Sequence, residues 1–383
     1  MASLDILRDP AELERFAGQW PDAAQADGGA ALGTSLLWIE SWFAAFGAEG
    51  APEIWSFSET GRWLGAIPLV RRREPSPWRV SPRLDVLAGA ANVHTPDYGI
   101  AGPSPDRVLD AFCRELAARR HRWDRVILTR IPAASALATD GPRAFACHGL
   151  SWLRLPTAFQ AKIPTGQGED AWAAARRSLV RKTGQYRRAL ERQGDLRFDM
   201  ICSPPGSDTA FEQFTALESA GWKGARGSAI SSSEVTRRFY STLVRRAAED
   251  RSLRLSLLRL DDRLIAASLA VVSGGTVYWL KSAFDESLAR WSPGNVEHLE
   301  ALRRWFADPE IREIDMGATL PGDTKERWVH ERRPVYAIHL FGRRPSCRAI
   351  RWDLAARAYL KRSPLGQAVE ARRARRRGSG RNL

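Results

Sequence analysis

The two halves of this chain carry similar segments in the same order. The return arm of a predicted hairpin has the sequence GRWLGAIPLV at 61–70, and DRLIAASLAV follows the same pattern at 262–271. A helix that opens on Ser-Pro and a strand that runs into a loop ending in proline also recur, at 102–116 and 290–305, and at 123–132 and 311–321. An offset of roughly 190–200 residues is too long for a solenoid repeat and suits two copies of one α/β domain.

The hydrophobic pattern alternates strands with helices, which predicts an α/β chain with mixed sheets. We expect tandem domains, each a mixed central sheet flanked by helices: a degenerate domain at 1–155, a second domain at 156–345, and a C-terminal helix and basic tail at 346–383. The predicted helices are 35–47, 104–119, 169–193, 207–221, 232–249, 294–306 and 348–361. The predicted strands are 54–58, 63–70, 125–129, 157–163, 196–202, 253–260, 264–273, 276–284, 313–316 and 335–341.

The chain has a net charge of +14, much of it in two basic runs at 176–188 and 372–377. Basic runs attract phosphate-rich partners such as nucleic acid, anionic lipid or nucleotide cofactors. A solvated, disordered segment is the simpler interpretation of the tail. We therefore expect at most a peripheral contact between the tail and an anionic membrane, and no general nucleic-acid partner.

Several classes of protein lack support in the sequence. No apolar run reaches the roughly 18 residues of a membrane helix, and the N-terminus has no apolar signal-peptide region. The four cysteines lie far apart without metal-ligand spacing, so we expect no metal and a reduced, cytoplasmic compartment. Metalloprotease, nucleotide-hydrolase and serine-hydrolase motifs are absent from the sequence.

The two Ser-Pro helix starts differ in charge. The first copy places Asp106 in its first helical turn, whereas the second has Gly294 and Asn295 there. A helix N-terminus carries about half a positive charge and free N–H groups, so it can hold a phosphate, and a carboxylate in that turn would repel one. We therefore predict an anion site at the second start, formed by Arg290, Ser292, Gly294 and Asn295. An ordinary Ser-Pro cap with a surface arginine is the alternative.

The second half resembles the GNAT-like acyltransferase domain of the CelD/BcsL family, which is linked to bacterial cellulose and exopolysaccharide synthesis. It is more remotely similar to the FemABX aminoacyltransferases. First-half segments at 35–47 and 62–73 are similar to the family's N-terminal portion. The matching second-half segments are RRALERQG (187–194), ESAGWKG (218–224), RFYSTLVRRAAED (238–250), the hairpin at 255–275, YWLKSAFDESLARWSPG (278–294) and EIDMGATLPGDTKERW (313–328).

This resemblance implies a tandem GNAT architecture with an acyl-CoA donor, such as acetyl-CoA, held by the C-terminal half. It also implies direct transfer of the acyl group to an amine or hydroxyl of a small or glycan-linked acceptor in the cleft between the halves. The family pattern Asp-x-Gly-x-Gly is Asp315-Met-Gly317-Ala-Thr here, so one glycine is missing. That departure concerns the acceptor side of the site.

Direct acyl transfer needs a base for the acceptor and a donor for the oxyanion. Asp285 and Asp315 fall at the C-terminal ends of predicted strands, and if those strands are neighbours both carboxylates face one crevice. Either could be the base, and Glu218 is a third candidate; N-capping or pairing with a nearby arginine is the alternative for each. Lys281 is one of only six lysines among 58 basic residues, and it is the candidate cation. Strand alternation predicts that Val277, Trp279 and Lys281 share one face.

Further candidates are expected to contact the substrate. Trp222 and Lys223 lie between glycines, and Lys325 and Trp328 share a face if 323–328 is helical. His94 and Asp97, after a first-half strand, correspond to SAFDES in the second half. For each, a packing or surface role is the alternative.

Two other functions stay open at this point. One is an aminoacyl-tRNA-dependent transferase of the FemABX kind, with the basic helix on tRNA phosphates. This sequence shows no long helical-hairpin insertion, which such a transferase is expected to have. The other is a non-catalytic interaction protein that docks through its basic tail.

Overall fold

The computed structural model describes residues 2–20, 32–76, 83–319 and 324–362. The basic run at 372–377 therefore lies outside the described residues. The first elements are β1 (Ser3–Leu7), a 3-10 helix (Pro10–Gln19), α1 (Leu36–Phe46), a 3-10 turn (Gly47–Glu49), β2 (Ala51–Pro52), β3 (Ile54–Glu59), β4 (Arg62–Ile67), β5 (Leu69–Pro75), β6 (Arg83–Gly89), α2 (Pro105–Ala118), β7 (Arg125–Pro132), α3 (Ala136–Thr139), α4 (Gly141–Cys147) and β8 (Ser151–Pro164).

The chain continues into a second set of helices and strands. These are α5 (Gly168–Ala175), α6 (Arg177–Glu191), β9 (Leu196–Ile201), α7 (Pro204–Ala220), α8 (Trp222–Ala225), a 3-10 turn (Ile230–Ser232), α9 (Glu234–Glu249), β10 (Leu253–Leu260), β11 (Arg263–Ser273), β12 (Thr276–Phe284), a 3-10 helix (Glu286–Trp291), α10 (Pro293–Phe306), β13 (Glu313–Thr319), a 3-10 turn (Thr324–Arg327), β14 (Glu331–Phe341) and α11 (Pro345–Arg362).

Most of the strands join one mixed sheet. Over the described residues its order is β2-β5-β6-β7-β14-β8-β13-β12-β11-β10-β9, and β1, β3 and β4 form a smaller three-stranded sheet. Neighbours are antiparallel except for the pairs β6–β7 and β12–β13. In each parallel pair a helix connects the strands, α2 in the first and α10 in the second. The prediction of an α/β fold with a mixed sheet flanked by helices is confirmed.

The last strand of each half pairs with the other half. β8 lies antiparallel to β13, while β14 lies antiparallel to β7, and β8 and β14 also pair with each other. This exchange makes the large sheet continuous through the centre of the chain. The predicted division between residues 155 and 156 falls inside β8 and stays a prediction.

Helices cover the sheet on both faces. On one face α1 packs against α9, with the Trp38 and Phe239 rings 5.0 Å apart. On the other, α5 and α10 bury a tryptophan cluster over β12 and β13: Trp172, Trp279, Trp305 and Trp328. Helix α9 therefore ties the second copy to the first, and α10 seals the opposite side.

Two predicted elements needed correction. The predicted helix at 169–193 is broken at Arg176 (φ −118°, ψ 23°) into α5 and α6. The predicted strand at 63–70 is divided at Pro68, so that β4 and β5 belong to different sheets. Proline has no N–H to donate to a ladder, which favours a change of partner there. Within the described ranges, no helix is long and apolar enough to span a membrane.

Candidate functional site

β12 and β13 pair over only three residues. Thr276–Tyr278 lies parallel to Glu313–Asp315, and beyond that point β12 continues on β11 alone. A cavity of about 360 Å³ lies along the end of β12, within the range of small-molecule sites. Elements from both faces of the sheet line it: the α7–α8 corner, the end of β12, the N-terminus of α10 and Arg327.

A bulge in β12 redirects its side chains. Leu269 of β11 pairs with Lys281, but the next residue, Ala270, pairs with Trp279, so Leu280 is left over. Trp279 consequently packs in the α10 core while Leu280 faces the α9 core. Lys281 then points to α9 as well, because an extra residue in one strand resets the alternation. The prediction that Trp279 and Lys281 share a face is wrong for this reason.

Lys281 lies against an aromatic group that also contacts the first copy. Its Nζ is 5.4 Å from the Tyr240 ring centroid, and the Tyr240 hydroxyl is 3.3 Å from Nδ1 of His94. Burial lowers the pKa of Lys281, with Lys223 and Lys325 adding to the effect and Glu218 opposing it. Among the described residues, no hydrogen bond or ion pair engages the ammonium. Lys281 is thus a half-buried cation available to a ligand.

His94 lies near this cation, against the same Tyr240 side chain, but it is not among the residues that line the cavity. Its ring stacks on Phe46, with centroids 5.9 Å apart. Burial, together with Lys281 and Arg130, lowers the pKa of His94 to about 4. His94 is therefore neutral at neutral pH, and its role toward substrate stays a prediction.

Glu218 and Lys223 form one pair in the cavity wall. The Lys223 ammonium donates to Oε1 of Glu218 (2.9 Å) and to the carbonyl of Ser282 (2.6 Å). The second oxygen of Glu218 accepts from the N–H of Ile230 at 2.8 Å. Both oxygens of this buried carboxylate are thus engaged, which favours a positioning role over that of a free base. Trp222, 47% exposed, stands at the rim.

The N-terminus of α10 opens onto the same cavity through Ser292, Gly294 and Asn295. Ser292 has a left-handed backbone (φ 44°, ψ 56°), and its hydroxyl makes no capping bond. A non-glycine residue in this region is strained, a feature that clusters at ligand sites. No acidic residue occupies the first turn of α10, whereas Asp106 does in α2, so this predicted contrast is confirmed.

A basic side chain that the sequence did not single out completes this corner. Arg327 lines the cavity and donates to Oδ1 of Asn295 at 3.1 Å. Arg290, the predicted cation, instead stacks 3.7 Å above the Trp291 ring and is not among the lining residues. A second carboxylate besides Glu218 also lines the cavity: Glu286, which accepts from the N–H of Trp222 at 2.6 Å.

Two predicted bases are engaged elsewhere. Asp285 caps the 3-10 helix after β12 by accepting from the N–H of Ser287 (2.9 Å), and it pairs with Arg263. Asp315 is buried and contacts Lys162 Nζ at 3.0 Å, while Gly317 N–H donates to its other oxygen at 2.7 Å. These partners favour structural roles for both carboxylates.

Lys162 is the centre of a buried ion cluster. Its Nζ also lies 2.9 Å from Glu313. Burial alone would lower the pKa of Lys162, but Asp315 and Glu313 together raise it. A buried lysine between two carboxylates stays charged because each charge offsets the desolvation cost of the others.

Asp97, predicted to contact substrate, is also fully buried. Its Oδ1 accepts from the N–H of Gly33 at 2.6 Å. Burial raises the pKa of Asp97 to about 7, and the nearby Asp315 adds to the rise.

Lys325 and Trp328, also predicted to contact substrate, are engaged within the protein. Lys325 donates to the Met316 carbonyl at 2.6 Å, and Trp328 is 2% exposed beside Trp172. Neither Asp97 nor Trp328 is among the lining residues of the cavity.

A carboxylate–histidine pair on α10 was missed from the sequence. Glu297 is completely buried, and one oxygen accepts from the hydroxyls of Ser256 and Ser268. Its other oxygen lies 2.9 Å from Nδ1 of His298. The His298 ring lies 4.3 Å from the Trp279 ring, centroid to centroid, at a tilt of 41°, and it lines the cavity. When Nδ1 donates to this Glu297 oxygen, the neutral imidazole has its lone pair on Nε2. In the sequence, the indication of this pair is the Glu297-His298 dipeptide, about one turn after the start of α10.

The second half of the chain matches a known family. Residues 177–328 match the family described as an acetyltransferase (GNAT) domain. The matched range begins at α6, ends at Trp328 and includes all the lining residues of the cavity. A GNAT domain indicates an acyltransferase and implies an acyl donor. No curated protein sequence matches the chain.

Solved structures share the fold over both halves. FemX is 12% identical with a TM-score of 0.53, and the match covers 88% of this chain and 96% of that chain. L-PGS from Bacillus licheniformis is 13% identical with a TM-score of 0.50, covering 92% and 96%. A conserved protein of unknown function from Bacteroides thetaiotaomicron is 12% identical with a TM-score of 0.55, covering 88% and 100%. At these identities the likeness shows the fold alone.

Proposed function

We propose that the protein is an acyl-CoA-dependent N- or O-acyltransferase that transfers the acyl group directly to an amine or hydroxyl. The observation that carries the proposal is one cavity that joins a helix N-terminus without a carboxylate in its first turn to the end of β12 beyond its pairing with β13, where Lys281 precedes the lining residue Ser282. The first feature suits a pyrophosphate and the second a reacting acyl group. The acceptor class to test first is glycan-linked, as the resemblance to exopolysaccharide-associated proteins suggests.

The residues present fit a nucleotide-bearing donor. Gly294 leaves room for close approach at the first turn of α10, whose N–H groups favour an anion. Arg327 adds a planar cation at the cavity wall. The opposing charge of Glu286 is partly offset because that carboxylate accepts from the α8 backbone. When bound, acyl-CoA would supply an activated thioester.

The other side chains of the site each have a separate role in the acyl transfer. The acceptor's lone pair forms the bond to the carbonyl carbon, the carbon–sulfur bond breaks, and the thiolate leaves with the bonding pair. In this proposal the Nε2 atom of His298 takes the acceptor's proton, and the Lys281 ammonium stabilises the developing oxyanion. Glu297 positions His298, and Tyr240 positions Lys281. Glu218 and Lys223 hold the cavity wall.

A donor screen tests the proposal. Thermal shifts of the full chain would be measured with free CoA, acetyl-CoA and longer acyl-CoAs, alongside transfer to amine and hydroxyl acceptors. Saturating donor should stabilise the folded state, by about 2.7 kcal/mol at 100 times Kd. Absence of any shift would reject CoA as the donor. Transfer from aminoacyl-tRNA without any CoA effect would instead favour the FemABX-like alternative.

A further inference from the structure

Helix α11 has two apolar faces, only one of which packs on the protein. Cys347 and Ile350 are buried, and Leu354 packs beside them against the core that also holds Trp38 of α1 and Phe239 of α9. The outward side carries Trp352 and Tyr359, which are 70% and 76% exposed. A spacing of seven residues places two side chains on one stripe of a helix. Exposed aromatic residues of this size are concentrated here among the described residues.

Basic residues flank this outward stripe. Arg348 and Arg351 are exposed on one side of it, and among the described residues neither makes an ion pair. Arg357, five residues after Trp352 and so near the opposite side of the helix, is not part of this flank and bonds Asp353 at 2.9 Å. The sequence after the helix, residues 363–383, adds six arginines and one glutamate. The surface thus combines aromatic anchors with excess positive charge.

We propose that the outward face of α11, defined by Trp352, Tyr359, Arg348 and Arg351, docks on an anionic lipid surface. Tryptophan and tyrosine place an apolar ring in the interface and a polar tip in water, and they are favoured at headgroup depth. Arginines beside them gain from the negative potential of acidic lipids. An apolar stripe with basic flanks is the pattern of helices that lie in a membrane surface. A partner protein would be favoured if the flanks were neutral or mixed in charge.

This docking does not depend on the proposed catalysis. It involves none of the residues that line the β12 cavity. The helix packs on β8 and β14, away from the α7–α8 corner. Binding to lipid can therefore be measured directly, and its failure would leave the acyltransferase proposal untouched.

Vesicle co-sedimentation of the full chain tests this inference. The probes are vesicles of phosphatidylcholine alone and vesicles with about one third phosphatidylglycerol. The wild type should bind the second kind, and the double variant Trp352→Ser/Tyr359→Ser should bind about tenfold more weakly. The variant Arg348→Glu/Arg351→Glu should also bind about tenfold more weakly, and its binding should depend less on salt concentration than that of the wild type.

Matched variants separate this surface from general charge and apolarity. Arg177→Glu/Arg181→Glu makes the same charge change on α6, and Val235→Ser removes an apolar side chain that is 39% exposed. Both should bind vesicles nearly as the wild type does. Equal binding by the wild type and the Trp352→Ser/Tyr359→Ser variant would overturn the proposal. A wild type that binds neither kind of vesicle would also overturn it. If the Trp352→Ser/Tyr359→Ser variant then lost a dimer in light scattering, or lost RNA binding, the face would be a protein or RNA surface instead.

Discussion

The Lys281 ammonium lies 5.4 Å above the Tyr240 ring centroid, while the Tyr240 hydroxyl contacts His94 of the first copy. Tyr240 therefore fixes a cation of the second copy and a neutral imidazole of the first at one point. The cation–π contact holds the ammonium without consuming its hydrogen-bond donors. The N–H groups of Lys281 can then donate hydrogen bonds to a ligand oxygen.

Replacement of Lys281 by methionine should lower kcat strongly. Loss of one oxyanion donor typically costs about 10²- to 10³-fold in kcat, and we expect that range. Lys281→Arg keeps the charge and should lose less. Steady-state kinetics with a saturating donor would measure the effect, and the CoA-dependent thermal shift should persist in both variants. Unchanged kcat in Lys281→Met would remove Lys281 from the mechanism.

Replacement of Gly294 by aspartate should abolish donor binding without unfolding the protein. A carboxylate at the first turn interacts favourably with the helix dipole, by about 0.3–1 kcal/mol, yet repels an incoming phosphate. Gly294→Ala is the matched control, because its Cβ would only meet Phe284 Cδ1 at 3.4 Å. Calorimetry with CoA should show binding to the alanine variant and none to the aspartate variant. Equal affinity in both would place the phosphate elsewhere.

The sequence predicted the elements around the site well and their side-chain partners poorly. The predicted strand at 276–284 coincides with β12, and the predicted start of α10 is off by one residue. Those bounds follow from local apolar patterns and the Ser-Pro signal. The bulge at Leu280 depends on pairing with β11, so alternation within β12 could not reveal it.

The predicted carboxylates are engaged by residues that are distant from them in the sequence. Asp315 meets Lys162, and Asp285 meets Arg263, through strand pairing that no local pattern encodes. Arg327, in the 3-10 turn after β13, bonds Asn295 of α10, and the local sequence pattern does not encode this contact either. The exchange of β8 and β14 likewise brings residues of one half beside the other. Local spacing can identify candidate groups, but the register of the sheet determines which remain available.

Replacement of His298 by alanine should remove the proton acceptor. A positioned general base contributes about 10²- to 10⁴-fold, so kcat should fall by that order while donor affinity is kept. Added imidazole should restore part of the rate, which it would not do for a purely structural defect. Glu297→Gln should cause a smaller loss, and Glu300→Gln on the same helix should cause none. Failure of imidazole to rescue the alanine variant would count against the assignment.

Asp97 should make the stability of the protein depend on pH in an unusual direction. Its pKa is raised by burial from 3.8 to about 7. Below about pH 4 the carboxyl is protonated in both the folded and unfolded states. Between pH 4 and 7 the unfolded state ionises while the folded state keeps its proton, so the free energy of unfolding falls as pH rises.

Substitution of Asp97 by asparagine should remove this dependence. Asparagine can still accept from the Gly33 N–H, and it does not titrate. Between pH 4.5 and 7.5 the wild type should lose about 3 kcal/mol relative to Asp97→Asn, since one pKa unit corresponds to about 1.4 kcal/mol. Urea unfolding at both pH values would measure the difference, with Asp208→Asn, on the exposed side of α7, as the control. The Lys162 cluster is present in both proteins, so its own titration cancels in the comparison. If the difference in the free energy of unfolding between the two proteins were the same at both pH values, Asp97 would ionise in the folded state as readily as in the unfolded chain.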